Sequence, residues 1–134
     1  MKLFLDANVL FTAAHNPKGK ASLIIRIVMP QKWTLVTCSL AVEEAERNLS
    51  VKFPDCLREH KKLLRLVFIA PTIVDGECPI ILPHKDRPIF LSALHANCSH
   101  LLTGDLKDFG RYMNKPNKSA GVLIQTVAEF LESL

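Results

Sequence analysis

The stretch HLLTGDLKDF, residues 100–109, joins a short apolar run directly to two acidic residues. Leu101 and Leu102 are typical of a strand that is covered on both faces of a sheet. A Thr-Gly step follows, and Asp105 and Asp108 then stand three residues apart. Ligands of open α/β sheets bind outside the carboxyl ends of the strands. Acids at the end of a buried strand therefore indicate a functional site.

Further along the chain in both directions, short apolar runs alternate with segments of helical length and spacing. Strands are predicted at 2–6, 33–38, 67–70, 100–104 and 122–125. Helices are predicted at 20–31, 39–53, 54–66, 86–98, from 105 onward and from 127 onward. Pro30 marks the end of the first of these helices. Thr126 and Glu129 are predicted to form a capping box at the start of the last one. The stretch 71–83 holds three prolines and a glycine and is predicted to be a loop.

This alternation predicts an α/β fold, because continuous apolar strands need helices on both faces of the sheet. We expect a three-layer α/β/α sandwich with a central, mostly parallel sheet. The chain has 134 residues and 49% hydrophobic residues, so it can form one core. Residues 1–134 are therefore expected to form a single domain. In the helix at 39–53, Val42, Ala45, Leu49 and Phe53 are predicted to form the buried stripe.

Composition limits the possible settings of the protein. No apolar run approaches the roughly 18 residues of a membrane span, so no membrane partner is expected. Asp6 interrupts the apolar start of the chain, which argues against a signal peptide and favours a cytoplasmic location. A net charge of +4 permits a polyanionic partner. The cysteines (Cys38, Cys56, Cys78, Cys98) form no C-x-x-C pair and are expected to be free thiols, and the scattered histidines predict no metal site.

Acidic residues from distant parts of the chain are predicted to meet at one edge of the sheet. Asp6 ends the first strand and Asp105 follows a later one, and parallel strands place both at the same edge. Asp86 opens the helix that leads into that later strand. One glutamate of the helix at 39–53 is expected to lean over this edge, and helical periodicity does not choose among Glu43, Glu44 and Glu46.

Such a cluster of carboxylates is unfavourable unless something neutralises it, because like charges oppose one another's ionisation. Magnesium and manganese prefer oxygen ligands, and such ions activate water and stabilise charge on a phosphate. Four acids at one edge of a basic protein therefore suggest hydrolysis of phosphodiester bonds, with nucleic acid held by the surrounding basic residues.

Purely structural explanations exist for each residue. Asp86 and Asp105 are compatible with helix N-caps, and Asp105 with Asp108 is compatible with a capping pair. For Asp6 no helix cap is expected, because an apolar stretch follows it, and a turn is the only structural alternative. The remaining polar residues also have ordinary structural roles available. Thr103 is compatible with a strand residue, Asn8 with a turn residue, and the glutamates (Glu43, Glu44, Glu46) with the solvated surface of a helix. The order of the acids along the chain is more specific than any one of them.

In that order the residues resemble the PIN-domain family of metal-dependent ribonucleases, across nearly the whole chain. LFLDANVLFTA resembles the opening strand with its first acid, Asp6. TCSLAVEEAERNL resembles the segment with the helical glutamate, for which Glu44 is the best correspondence. KDRPIFLSALHANCSHLLTGDLKDF, with Asp86 and Asp105, resembles the most diagnostic block. GVLIQTVAEFLESL resembles the last strand and helix.

The resemblance implies a Mg²⁺ or Mn²⁺ pocket and an endoribonuclease that cleaves single-stranded RNA. The implied ligands and catalytic residues are Asp6, Glu44, Asp86 and Asp105, with Asp108 as a further metal ligand, directly or through water. Asn8 and Thr103 would shape the pocket by hydrogen bonding. Many small members of the family are VapC-type toxins, so an antitoxin protein, single-stranded or structured RNA, and a second copy in a homodimer are the implied partners.

Basic residues that follow Asp105 in the sequence are candidates for phosphate contacts. They are Lys107, Arg111, Lys115 and Lys118, and a solvated basic surface is the ordinary alternative. The apolar segment ASLIIRIVM (21–29) is compatible with either core or a dimer interface.

Two other functions fit part of the pattern. The start DANVL resembles the opening of haloacid-dehalogenase-type phosphatases, in which the first aspartate is a covalent nucleophile. Those enzymes need a second aspartate two residues later, where this chain has Asn8. The second alternative is a non-catalytic module of the same fold that binds RNA or a protein partner. The presence of all four expected acids favours the enzyme over this module.

Overall fold

A five-stranded parallel sheet forms the centre of the molecule. The computed structural model describes residues 1–27 and 33–134. The strands are β1 (Lys2–Leu5), β2 (Thr34–Cys38), β3 (Phe68–Ala70), β4 (His100–Leu102) and β5 (Leu123–Gln125), in the spatial order β3-β2-β1-β4-β5. Every strand pair in this sheet is parallel. All five predicted strands are confirmed, each one or two residues shorter than its apolar run.

Seven α-helices connect and cover these strands in the described residues. They are α1 (Ala7–His15), α2 (Lys20–Arg26), α3 (Ser39–Lys52), α4 (Leu57–Leu64), α5 (Arg87–His95), α6 (Leu106–Phe109) and α7 (Val127–Glu132). Short 3₁₀ turns precede α4 and α5, at Pro54–Cys56 and His84–Asp86, which explains why the predicted helices began earlier. The predicted end of the second helix, including Pro30, lies outside the described residues.

The order of the strands creates a crevice beside β1. The chain builds β1, β2 and β3 in one direction and then returns to place β4 on the other side of β1, so Phe4 is paired with both Val36 and Leu101. The reversal of direction is a topological switch point, where α/β sheets form ligand crevices. Residues that directly follow β1 and β4 therefore face a common opening.

The central strand shows that helices cover both faces of the sheet. Successive side chains of a strand point to opposite faces, and Leu3, Phe4 and Leu5 are all completely buried. Helix α1 packs against α2, α3 and α4, while α5 contacts β2 and β4. These observations confirm the three-layer α/β/α sandwich.

The buried stripe of α3 differs from the prediction. Ala41, Ala45 and Leu49 are completely buried, whereas Val42 is only partly buried and Phe53, the residue after the helix, is 42% exposed. A spacing of four residues follows one side of a helix closely over two turns. The small alanines let α3 lie close to the sheet. The helix is therefore rotated about its axis relative to the orientation that the larger apolar residues predicted.

The last helix is capped as the sequence predicts. The Oγ1 atom of Thr126 accepts a hydrogen bond from the backbone N–H of Glu129 at 3.1 Å. The Oε1 atom of Glu129 accepts one from the backbone N–H of Thr126 at 2.9 Å. This reciprocal pair is the capping box.

None of the helices in the two described ranges has both the length and the apolarity that crossing a membrane requires. The four cysteines carry free thiols, as predicted from their spacing.

Candidate metal centre

An acidic cavity of about 280 Å³ opens at the carboxyl ends of β1 and β4. Its lining residues are Asp6, Ala7, Asn8, Phe11, Glu44, Asn48, Lys52, Lys85, Asp86 and Asp105. Four acids that the sequence singled out are therefore neighbours in space, although they come from β1, α3, the start of α5 and the end of β4. We call this space the acidic cavity.

Asp6 begins α1 as well as ending β1. Its Oδ1 atom accepts a hydrogen bond from the backbone N–H of Ala7 at 2.7 Å, which makes it the N-cap of the helix. The expectation that Asp6 caps no helix is wrong, because the apolar stretch after it is helical. Val9 and Leu10 are buried there as the core-facing side of α1. The cap fixes the carboxylate at the mouth of the switch point.

A hydrogen-bond network holds the second oxygen of Asp6. Its Oδ2 atom accepts from the Thr103 hydroxyl at 2.8 Å and from the Asn8 side-chain amide at 3.2 Å. The Thr103 oxygen accepts from the backbone N–H of Asp105 at 3.0 Å, and the Asn8 oxygen accepts from Gly104 N–H at 2.7 Å. The hydrogen bonding expected of Asn8 and Thr103 is present, and it ties the ends of β1 and β4 together.

Gly104 allows the close approach on which this network depends. A Cβ atom added at Gly104 would lie 3.3 Å from Oδ1 of Asn8, which is tighter than ordinary van der Waals contact. A larger residue at position 104 would push the Asn8 side chain away, and the hydrogen bond from the backbone N–H of residue 104 to Oδ1 of Asn8 would be lost. The glycine in the Thr-Gly-Asp segment therefore has a packing role.

The environment of Asp6 opposes its negative charge. Burial raises the pKa of its carboxyl group, and the nearby charges of Glu44 and Asp105 raise it further. The hydrogen bonds from Thr103 and from the backbone of Ala7 act in the opposite direction. A buried carboxylate that is held by donors and faces other carboxylates is suited to a bound cation.

Asp86, Asp105 and Asp108 form the tightest group of carboxylates, with one oxygen of each within 4.8 Å of the others. Asp105 caps α6 by accepting a hydrogen bond from the backbone N–H of Asp108 at 3.1 Å. Asp108 does not line the acidic cavity, but its carboxylate lies beside those of Asp86 and Asp105. Asp108 thus places a fifth carboxylate beside the four that line the acidic cavity.

Asp86 is only 8% exposed, and its Oδ2 atom has no hydrogen-bond donor among the described residues. Burial, the hydrogen bond to Asp108 and the charges of Asp108 and Asp105 together raise the pKa of Asp86 to about 7. The same hydrogen bond lowers the pKa of Asp108. Burial and the neighbouring carboxylates thus oppose the negative charge of Asp86, and a bound cation would stabilise that charge. The group fits a divalent cation, because every donor is a carboxylate oxygen.

Lys85 lies over the group from the solvent side. Its Nζ atom is 3.6 Å from Oδ2 of Asp108, and its side chain is 76% exposed. The charges of Asp86 and Asp108 raise the pKa of Lys85. Lys85 was not among the residues predicted from the sequence, although its position directly before Asp86 was a signal that it would share the same edge.

The structure separates the three glutamates that the sequence left open. Glu44 lines the acidic cavity and contributes to the electrostatic field at Asp6. Glu46 instead lies 3.5 Å from the buried imidazole of His60, and Glu43 is exposed and does not line the cavity. Of the three, Glu44 therefore has the position expected of a metal ligand.

Further lining residues follow from the position of Glu44 on α3. Asn48 and Lys52 come four and eight residues later, on the same side of the helix, and both line the acidic cavity. The Nζ atom of Lys52 lies 5.7 Å from the ring centre of Phe11, another lining residue. Helical spacing would have predicted Asn48 and Lys52 once the orientation of Glu44 was known.

Lys107 and Arg111, the predicted substrate contacts, are exposed and do not line the acidic cavity. The guanidinium carbon of Arg111 lies 5.5 Å from the ring centre of Tyr112. Lys115 and Lys118 are exposed as well. Their contact with substrate stays a prediction.

Comparison with known proteins places this geometry in a family. The chain is similar in fold to VapBC2 from Rickettsia felis bound to a DNA fragment from their promoter, with 15% identity, a TM-score of 0.67, and coverage of 94% of this chain and 98% of that one. It is also similar to VapBC-1 from nontypeable Haemophilus influenzae, with 17% identity, a TM-score of 0.59, and coverage of 96% and 99%. At these identities the likeness shows the fold alone.

A search of curated protein sequences finds no match. The family model for the PIN domain, by contrast, matches residues 2–107, which contain β1 to β4 and the acids that line the cavity. This range is well over half of the 134 residues. The chain therefore belongs to the PIN-domain family.

Proposed function

We propose that this protein is an endoribonuclease that uses Mg²⁺ or Mn²⁺ to hydrolyse phosphodiester bonds of single-stranded RNA. One observation carries the proposal: Asp6, Glu44, Asp86 and Asp105 line a single cavity at the topological switch point. PIN domains are generally nucleases, which supports the same conclusion.

The carboxylates of this cavity are the residues that would hold the ion. They are Asp6, Glu44, Asp86 and Asp105, with Asp108 adjacent to the last two. When bound, a divalent ion lowers the pKa of water and neutralises charge on a phosphate. The raised pKa values of Asp6 and Asp86 support this role, because burial and the neighbouring carboxylates oppose a negative charge that a cation would stabilise.

The chain's own residues would position the substrate and the ligands. Thr103 and Asn8 orient the Asp6 carboxylate through hydrogen bonds, so that its direction does not depend on the substrate. Lys52 and Lys85 are exposed at the acidic cavity and would attract the RNA backbone. An unpaired strand suits this site, because its backbone can bend into a small cavity that a duplex cannot enter.

We also propose that residues 1–134 form one domain, although the family match ends at residue 107. Support comes from β5 and α7, which lie beyond that point. Ile124 of β5 is paired with Leu101 of β4. Phe130 of α7 is completely buried, and its ring contacts those of Trp33 and His100, with ring centres 5.2 Å apart in each pair.

A toxin of a VapBC-type pair is the biological role that we propose for the nuclease. The support is the likeness in fold to two structures named VapBC. The proposal implies an antitoxin protein that covers the acidic cavity and a cytoplasmic setting, and it is compatible with a homodimer. Growth arrest on expression, relieved by a protein encoded beside it, is the expected result.

A cleavage assay tests the proposed chemistry. Purified protein should cleave single-stranded RNA in Mg²⁺ or Mn²⁺ and stop when EDTA is added. Asp6→Asn, Asp105→Asn and Glu44→Gln should each abolish most of the activity, because each removes a carboxylate from the acidic cavity. Glu43→Gln is the matched control, since it removes one exposed carboxylate next to Glu44 outside the cavity and should retain activity.

Other outcomes would favour the alternative functions. Cleavage that resists EDTA, or that survives both Asp6→Asn and Asp105→Asn, would contradict the metal-dependent mechanism. RNA binding without cleavage in any divalent ion would favour the non-catalytic module. A phosphoenzyme trapped on Asp6 would favour the phosphatase, in which that residue is the nucleophile.

A further inference from the structure

A second cavity, of about 380 Å³, adjoins the acidic cavity along α3. Glu44 and Lys85 line both spaces, so the two cavities meet at these residues. Arg47 and Arg87 line the second space but not the acidic cavity. We call it the Arg47 cleft.

The helical spacing of α3 explains why Glu44 stands at the junction. Glu44, Asn48 and Lys52 recur every four residues and face the acidic cavity. Leu40 and Arg47, four residues before and three residues after Glu44, face the Arg47 cleft instead. One helix therefore borders both spaces, and a chain that leaves the acidic cavity past Glu44 would enter the Arg47 cleft.

The walls of the Arg47 cleft combine two kinds of chemistry. Arg47 and Arg87 provide guanidinium groups, which match phosphate oxygens in geometry and charge. Arg87 donates one hydrogen bond, from Nε to the carbonyl oxygen of Leu82 at 3.4 Å, which uses one of its five N–H donors. Leu40, Val74 and Leu91 add apolar surface. Cationic groups beside apolar surface are what a nucleotide needs, because it pairs a charged phosphate with a flat base.

We propose that the Arg47 cleft binds the nucleotide next to the scissile phosphate of a single-stranded RNA, with its phosphate at Arg47 and Arg87 and its base against the apolar wall. The inference rests on the proposed nuclease function, since the scissile phosphate would lie in the acidic cavity. It assigns substrate contacts to residues other than Lys107 and Arg111, which line neither cavity.

RNA is favoured over a protein segment as the occupant for two reasons. The cleft adjoins a cavity that would act on a phosphate, and a volume of about 380 Å³ lies at the lower end of the range for small-ligand sites. The arginines also explain how a polyanion passes the acids: they supply positive charge directly beside Glu44.

A binding experiment tests the cleft without depending on catalysis. A short fluorescein-labelled single-stranded RNA is titrated with protein in EDTA, and fluorescence anisotropy gives Kd at several salt concentrations. We expect Arg47→Ala/Arg87→Ala to raise Kd about tenfold and to lower the salt slope by about 0.7 for each phosphate that the variant no longer neutralises. Arg58→Ala/Lys62→Ala, on the exposed face of α4 and outside both cavities, removes the same charge and should leave Kd within about twofold.

A second pair of variants tests the apolar wall. Val74 is 67% exposed and Val51 is 83% exposed, so neither substitution should disturb folding. Val74→Ser should raise Kd about threefold, because it removes apolar surface from the cleft. Val51→Ser is the control outside both cavities and should have no effect.

The possible results distinguish failure of the cleft from failure of the proposed function. If the wild type cleaves RNA, Arg47→Ala/Arg87→Ala should raise KM about tenfold with kcat nearly unchanged. A normal KM, or equal loss of RNA affinity in the arginine pair and its control, would overturn the cleft while the nuclease stands. If the wild type cleaves nothing, a selective loss of RNA binding in the arginine pair still supports the cleft. The cleft proposal would also be overturned if the protein bound an acidic peptide and the arginine pair lost no more RNA affinity than its control.

Discussion

At the scale of single residues, Asp86 has an environment that opposes its charge strongly. It is buried beside Asp105 and Asp108, and one of its oxygens has no donor among the described residues. Its pKa rises from an ordinary 3.8 to about 7 because of burial and the neighbouring carboxylates. In metal-free protein the residue stabilises the fold when protonated and destabilises it when charged.

The first prediction concerns the pH dependence of stability in metal-free protein. Between about pH 4 and 7, folded protein keeps a proton on Asp86 that unfolded protein releases, so its stabilising effect is complete below pH 4 and is lost as the pH rises through 7. Asp86→Asn removes this dependence. We expect the variant to gain about 2–4 kcal/mol relative to wild type between pH 4 and pH 8, measured by denaturant unfolding in EDTA. A difference that stays constant with pH would contradict the raised pKa.

Thr103 is a positioning residue for Asp6. It is completely buried, donates to Oδ2 of Asp6 and accepts from the backbone N–H of Asp105. Both bonds depend on the hydroxyl group and not on the size of the side chain. The second prediction uses this distinction.

Thr103→Val should lower kcat about tenfold to a hundredfold and cost roughly 1–3 kcal/mol of stability, because it keeps the shape and removes both hydrogen bonds. Thr103→Ser keeps the hydroxyl and should retain most of the activity. Cleavage rates at saturating RNA and thermal unfolding are the measurements. Normal activity in the valine variant would show that Asp6 needs no support from Thr103.

At the scale of elements, β1 and α1 meet at a residue that serves both chemistry and folding. Asp6 accepts the backbone N–H of Ala7 as a helix cap and also faces the acidic cavity. A loss of activity after substitution could therefore result from either role. The choice of substituent separates the two.

The third prediction compares Asp6→Asn with Asp6→Ala. Asparagine remains a good N-cap, whereas alanine does not, so Asp6→Ala should be about 0.5–2 kcal/mol less stable than Asp6→Asn. Both variants should lose RNA cleavage, because neither has a carboxylate. Thermal unfolding and the cleavage assay are run on the same preparations. Equal stability of the two variants would contradict the capping role.

At the scale of the whole molecule, the acids connect segments that are far apart in sequence. Asp6 follows β1, Glu44 lies on α3, Asp86 precedes α5 and Asp105 follows β4. Mutual repulsion there opposes the packing of all four segments, and a bound cation would relieve it. Metal binding should consequently be visible in global stability.

The fourth prediction is that Mg²⁺ or Mn²⁺ raises the melting temperature. At a concentration of about a hundred times Kd, the gain should be roughly 2.7 kcal/mol, or about 5–10 °C for a domain of this size. The shift should be larger at pH 8 than at pH 5, because the carboxylates must be ionised to bind. Differential scanning fluorimetry measures it, with Asp86→Asn/Asp105→Asn as the variant that should not respond. An equal shift in that variant would place the ion elsewhere.

Local patterns in the sequence were sufficient to predict the sheet and the order of its acids. The continuous apolar runs of β1 and β4 indicated strands that are covered on both faces, and parallel strands necessarily bring the residues that follow them to one edge. Asp6 and Asp105 could be singled out for this reason, and Asp86 because it opens the helix that leads into β4. The capping box of Thr126 was predictable because it depends on residues only three apart.

Only the tertiary structure decided three features. These are the orientation of α3, the presence of a helix after Asp6, and the Arg47 cleft. Three glutamates with similar local patterns differ because one faces Asp6, another contacts His60 and a third faces solvent. Arg47 and Arg87 lie forty residues apart in the chain and line one space only because α3 and α5 pack side by side. A strand can be recognised from a few neighbouring residues. Which side of a helix faces the core depends instead on the free energy of packing that helix against segments far away in the sequence.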